Sequence, residues 1–321
     1  MLMLKPLPLV KPTPRIKRLP RRKGVTIAAG YLCDTGIILC ADTQESIQGF
    51  VKTSTEKVKL FSGKSYTIAF AGAGDNSVQI DMVVQEICDE LREEEPPSLM
   101  GFKVLLHGVL DRLFPQPHYP KANPEVELIL AVKEGQRTHL FVVFDNVFAE
   151  SFEYDCVGSG VVLAKSMLQQ HWKRNYSLIE AYIISAYILY HAKRWVDGCG
   201  GKSDIFLLPN DTENVTRLGT EEIKSLESYF DLFDSALRPL LVACPSEPQN
   251  DAKFKSQLAQ SNQNLWAARA GFQDFEQVFK RLAQEAGMDG DETWAAITDS
   301  VDQFLKQPSP FPAPSPTDSS Q

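Results

Sequence analysis

The chain has 321 residues, of which 43% are hydrophobic and 23% charged, an ordinary globular composition. Its net charge of −8 excludes a protein that grips nucleic acid over its whole surface, since phosphate contacts need clustered Lys and Arg. No window holds the roughly 18 consecutive apolar residues of a membrane-spanning helix, so no membrane association of that kind is expected.

The one basic cluster, KPTPRIKRLPRRK at residues 11–23, is interleaved with prolines and reads as a solvated arm, with an acidic partner or a membrane surface as the alternative. Residues 1–23 hold five prolines and no apolar periodicity, which predicts a flexible arm or propeptide. The apolar start is broken by Lys5, Pro6 and Pro8, and the basic run follows it where a secretory signal would place it first. An intracellular, cytoplasmic location is expected. The six cysteines (Cys33, Cys40, Cys88, Cys156, Cys199, Cys244) show neither CxxC spacing nor a dense framework, which predicts reduced thiols.

Folding is expected to start at Gly24. VTIAAGYL and GIILCADT flank Asp34-Thr35-Gly36 and predict a hairpin, apolar enough to be covered on both faces. KVKLF and SYTIAFAGAG around Ser62-Gly63-Lys64 predict a second. Helical spacing follows over Asn76–Leu91 and Met100–Leu113. Strands are predicted over Glu125–Val132, Thr138–Phe144 and Glu150–Val157. Helices return over Val161–His171 and Leu178–Ala192, the latter opened by Ser177 and Glu180 at capping-box spacing. Asp204–Leu208 and Asn214–Leu218 close the series as strands.

Beyond Gly219 a helix from Thr220 toward Leu237 is expected to stop before Pro239, with amphipathic helices over Ala252–Ala286 and Glu292–Leu305. The last residues, QPSPFPAPSPTDSSQ, predict disorder. The expected division is therefore an arm (1–23), a main domain (24–218), a helical extension (219–306) and a tail (307–321). Strand pairs grouped with helix pairs predict an α+β fold of layered antiparallel sheets with helices outside, because βαβ crossovers would alternate single strands with helices.

GVTIAAGYLCDTGIILCADTQ resembles the opening of a proteasome β-type subunit. EKVKLF resembles that family's lysine-bearing strand, FAGAGD the Gly-rich turn behind the nucleophile, VGSG at 157–160 its Gly-Ser-Gly turn, and GCGGKSDIFLL its penultimate strand. Each piece alone is weak, and each is equally consistent with an ordinary turn or strand end; five in order over residues 24–218 are specific. The resemblance implies the four-layer αββα sandwich of the N-terminal-nucleophile hydrolases, commonly assembled into rings. The extension beyond Gly219 is longer than the family usually carries.

What the resemblance implies chemically is a threonine-type peptidase acting on peptide or unfolded-protein substrates. A terminal Thr hydroxyl attacks the scissile carbonyl and its own α-amine, which titrates at about 8, serves as base. Lys57 matches the lysine whose charge favours the reactive form of that nucleophile, with Lys59, two residues on and on the same strand side, as the alternative. Asp42 matches the acid that orients the lysine. The N–H of Gly74, or of Gly72, matches the oxyanion donor. Ser159, with a carboxylate near Asp197, matches the groups that hold the amine; Cys199 stands where the family often has Ser.

The nucleophile position has two readings. Aligned on the Gly-x-Thr-Ile motif it is Val25, which has no hydroxyl and implies a noncatalytic subunit with a structural or assembly role. Counted back from Asp42 it is Thr26, which implies self-cleavage after Val25 and a peptidase. Strand side chains alternate, so only one of the two can face Lys57 and Asp42. A third class is an amidase of the same fold acting on a small amide. Gln44 departs from the Arg usual in proteasome subunits, although the related HslV protease is Gln-like there.

The five histidines are dispersed and no phosphate-binding loop is present, so neither a metal nor a cofactor is expected. The expected partners are copies of itself or of related chains, in a homo- or hetero-oligomer such as a ring. The spacing of the C-terminal helices fits packing on the sandwich and binding a partner such as an ATPase ring equally well.

Overall fold

The computed structural model describes residues 26–47, 51–74, 77–115, 126–212, 214–243 and 251–273, with positions 277, 280, 281, 284 and 290. The expectations for the arm (1–23), Gly24, Val25, the helix over Glu292–Leu305 and the tail (307–321) fall outside these residues, as does part of the helix over Ala252–Ala286.

β1 (Ile27–Cys33) and β2 (Gly36–Asp42) form the first predicted hairpin. A short pair follows, β3 (Gln44–Ile47) and β4 (Val51–Ser54), and then the second predicted hairpin, β5 (Val58–Ser62) and β6 (Tyr66–Gly74). α1 (Ser77–Glu93) and α2 (Leu99–Leu113) lead into β7 (Val126–Glu134), β8 (Arg137–Phe144), β9 (Val147–Ser151) and β10 (Tyr154–Gly158). α3 (Val161–His171), α4 (Leu178–Trp195), β11 (Ser203–Pro209), β12 (Thr216–Arg217), α5 (Thr220–Ala243) and α6 (Asp251–Gln273) complete the described chain.

Two five-stranded antiparallel sheets, ordered β10-β1-β2-β11-β12 and β5-β6-β7-β8-β9, lie face to face. Small and branched residues fill the space between them, among them Ala28, Leu39, Ala41, Ala69, Ala71 and Ile129. On the outer face of the second sheet, Phe70, Leu128 and Phe141 meet Ile87 of α1 and Phe102 and Leu106 of α2. On the outer face of the first, Ile27, Tyr31, Ile38 and Ile205 meet Ala164 of α3 and Tyr182 and Leu189 of α4. Each fully buried Ile, Leu or Phe contributes about 1.5–3 kcal/mol relative to exposure. β1 and β2 are covered on both faces, which is why their sequences are continuously apolar. The result is a four-layer αββα sandwich of the α+β class.

The capping box of α4 forms as its spacing predicts: Glu180 N donates to Ser177 Oγ at 3.3 Å, and Ser177 N donates to Glu180 Oε2 at 2.8 Å. Three expectations need correction. The strand expected over Glu150–Val157 is two strands: β9 is the edge of the second sheet and β10 the edge of the first, with a bend at Phe152-Glu153. Both halves suit a strand, so composition carries no mark of the point where the chain changes sheets. The β3–β4 pair had no predicted counterpart. Finally, α5 runs through Pro239 to Ala243. Proline removes one intrahelical bond, and packing outweighs that loss here, since α5 sinks Ile223, Leu226 and Phe230 into the core shared with α4 and packs against α6.

Candidate active site

The antiparallel β1–β2 register, with Ala28 opposite Ala41, brings the residue just before β1 beside the last residue of β2. These are Thr26, 3% exposed, and Asp42, fully buried. Thr26 Oγ1 donates to Asp42 Oδ1. Lys57, one residue ahead of β5, donates from Nζ to Thr26 Oγ1, to Asp42 Oδ1 at 3.0 Å and to the carbonyl of Gln44. One hydroxyl thus lies between a carboxylate and an ammonium in a nearly dry corner, where charges act more strongly than in water.

A buried carboxylate is tolerated only when its lone pairs are met. Asp42 accepts from Thr26 Oγ1, from Lys57 Nζ, from Ile27 N at 3.0 Å and, on its other oxygen, from Gly200 N at 2.8 Å.

From the other side comes the turn joining β10 to α3. Thr26 N donates to Ser159 Oγ at 3.2 Å, and Ser159 Oγ donates to Thr26 O at 3.1 Å. Gly160 N also reaches that carbonyl, at 3.3 Å. Gly158 makes the close approach available: its φ is +91°, and a Cβ there would lie 2.4 Å from Thr26 O. Gly158 N donates to Glu127 Oε2 at 2.7 Å, so β7 supports the turn from the opposite sheet.

Of the residues singled out in the sequence, Asp42, Lys57 and Ser159 each contact Thr26, and Lys57 also contacts Asp42. Lys59 is not with them: its Nζ pairs with Asp81 of α1 at 2.5 Å on the exposed side. Gly74 ends β6 opposite Val126, and the neighbouring Ala73 Cβ would lie 3.0 Å from a Cβ on Gly158, which puts the end of β6 against the Ser159 turn. Gly72 lies under α1, where a Cβ would come 2.5 Å from Ile80 Cγ2. Asp197 is exposed on the turn after α4, and the partners of Ser159 Oγ are Thr26 and Cys199. Val25 lies outside the described residues.

Cys199 stands 3.8 Å from Ser159 Oγ. Burial above all, with the negative charge of Asp42 adding to it, pushes its thiol up to about 12, so it is neutral at physiological pH. Two contributors were given no role in the sequence. Glu127 is marked only as an acidic residue in the otherwise apolar run VELILAV, and Gly200, part of the motif GCGGKSDIFLL, acts through its backbone, which side-chain chemistry does not announce. Among the described residues, no three His, Cys, Asp or Glu side chains converge as metal ligands would, and no helix is long and apolar enough to cross a membrane.

Two facing antiparallel sheets with outer helix pairs, and a chemically loaded corner at the start of the first strand, define the class of the N-terminal-nucleophile hydrolases. Residues 22–206 match the family model described as proteasome subunit, and the chain belongs to that family. Among solved structures it is similar to a Gly-1 mutant of Anbu from Hyphomicrobium sp. strain MC1, with a TM-score of 0.59 and 17% identity over 69% of this chain and 100% of that one. Anbu, described as an ancestral beta-subunit, from Yersinia bercovieri is also similar, with a TM-score of 0.57 and 15% identity over 69% and 99% of the two chains. At these identities the likeness is one of fold. Compared with curated proteins, the sequence finds no significant match. Subunits of the proteasome family generally form oligomeric assemblies.

Proposed function

We propose that this subunit is a threonine-type peptidase whose nucleophile is Thr26, exposed by self-cleavage after Val25. The observation that carries the reading is the Thr26 hydroxyl, bonded at once to Asp42 and to Lys57. In processing, Thr26 Oγ1 attacks the Val25 carbonyl carbon and its proton passes toward Asp42. The Thr26 nitrogen then leaves as an amine carrying that proton, with Val25 held as an ester on Oγ1. Water hydrolyses the ester, restores the hydroxyl and releases the arm as a carboxylate.

In turnover the freed α-amine, beside Ser159, takes the hydroxyl proton and passes it to the leaving amine of the substrate. Lys57 stabilises the developing alkoxide, and the N–H of Gly74 stabilises the oxyanion. Asp197, exposed on the turn after α4, has no direct part in this scheme. The substrates are peptides or unfolded proteins, cleaved within a homo- or hetero-oligomeric, ring-like assembly in the cytoplasm, with an ATPase as the candidate partner of its outer surface.

The test is a covalent probe that needs both the hydroxyl and the free amine of a terminal threonine. The expected result is one adduct per chain, on a peptide beginning at Thr26. An assembled, folded protein that takes up no probe overturns the reading in favour of a noncatalytic subunit.

A further inference from the structure

Gln44, the first residue of β3, is 7% exposed, and both ends of it are committed. Its carbonyl receives Lys57 Nζ. Its side-chain amide donates from Nε2 to the carbonyl of Gly198 at 3.0 Å. Gly198 belongs to the turn between α4 and β11, the same turn that delivers Gly200 N to Asp42 Oδ2. The amide packs against that turn closely: a Cβ on Gly200 would fall 2.4 Å from Gln44 Oε1. The remaining links between the two segments are backbone or threonine bonds, Gln44 N to Gly200 O at 3.1 Å, Thr43 N to Lys202 O at 2.9 Å and Lys202 N to Thr43 Oγ1 at 2.8 Å.

We infer that Gln44 is a positioning residue. Its side-chain amide locks the 198–200 turn so that the Gly200 N–H holds Asp42, while its carbonyl fixes the ammonium of Lys57, and one residue thereby sets both partners of the Thr26 hydroxyl. The inference rests on the peptidase reading. It also gives a physical account of why glutamine stands here. The amide supplies the neutral donor that the Gly198 carbonyl needs, whereas a longer, charged arginine would have to displace the turn or carry its charge into a buried corner beside Lys57.

The test uses the full chain and the variants Gln44→Met, which keeps volume and removes the donor, and Gln44→Glu, which keeps shape and sets a carboxylate against the Gly198 carbonyl. Two readouts are taken: amide-hydrogen exchange at Gly200, and kcat and KM per active site titrated with the threonine probe. Gln44→Met is expected to speed exchange at Gly200 and lower kcat, each by about tenfold, the scale of one lost buried hydrogen bond, with KM unchanged. Gln44→Glu is expected to do more of both. Wild-type exchange and wild-type kcat in Gln44→Met overturn the inference. A wild-type chain that takes up no probe overturns the peptidase reading instead, and exchange at Gly200 alone then decides whether Gln44 holds the turn.

Discussion

Thr26 and Ser159, 133 positions apart in the chain, exchange hydrogen bonds: the Thr26 nitrogen donates to the serine hydroxyl, which donates in turn to the Thr26 carbonyl. This closed pair fixes the backbone of Thr26 independently of its side chain. The hydroxyl is then held separately, by Asp42 and Lys57. The backbone and the hydroxyl of Thr26 are anchored by different elements, so the two can be perturbed apart.

Asp42 is the buried centre of this arrangement and its charge is met by four donors. Asp42→Asn keeps the shape but replaces one acceptor with a donor facing N–H groups or Lys57. Removing one partner of a buried ion pair costs about 3–5 kcal/mol, so a loss of stability of that order is expected in chemical denaturation, together with at least about a hundredfold loss of turnover. Near-wild-type values in both measurements would show that the Lys57–Asp42 pair is dispensable.

Cys199 adjoins the site without the chemistry of a nucleophile. The residue is 5% exposed, and its thiol, pushed up to about 12 chiefly by burial, holds its proton throughout the physiological range. Incubation with iodoacetamide at pH 8 is expected to leave Cys199 unmodified by mass spectrometry and peptidase activity intact. Rapid alkylation there would contradict a buried thiol that keeps its proton.

Away from the site, Glu150 joins α2 to the second sheet, accepting from Lys103 Nζ at 2.7 Å and lying 3.0 Å from His139 Nδ1. Burial alone would raise its carboxyl, but the hydrogen bonds from Lys103 and His139 outweigh burial and hold it below its ordinary value. A depressed carboxyl stabilises the fold above the unfolded value of about 4.3, and that contribution is lost as pH falls through the lower folded value. Glu150→Gln is therefore expected to cost up to about 1 kcal/mol at pH 7. Urea denaturation across pH should show the difference from wild type fading below about pH 4.

The fold was legible where local chemistry repeats. Apolar strands around Asp34-Thr35-Gly36, helical spacing over α1 to α4 and the Ser177–Glu180 capping box each specify an element from neighbouring residues alone. The sheet change between β9 and β10 was not legible, because both sides of the bend at Phe152-Glu153 have strand composition and the partner strands lie far off in sequence. The same divide runs through the site. Thr26, Asp42, Lys57 and Ser159 stood out by side-chain type and motif order, whereas Gly200 contributes only a backbone N–H, and Glu127 acts through a turn 31 positions away. Only the third dimension separates Lys57, which reaches Thr26, from Lys59, which pairs with Asp81 of α1.

A threonine nucleophile at position 26 must become a chain terminus by its own action. The N-terminal sequence and intact mass of the purified full chain, beside a Thr26→Ala variant, decide whether it does. A wild-type protein beginning at Thr26 is expected, with a variant that keeps the residues before it. Both proteins beginning at Met1, or both trimmed at the same place, would contradict that nucleophile.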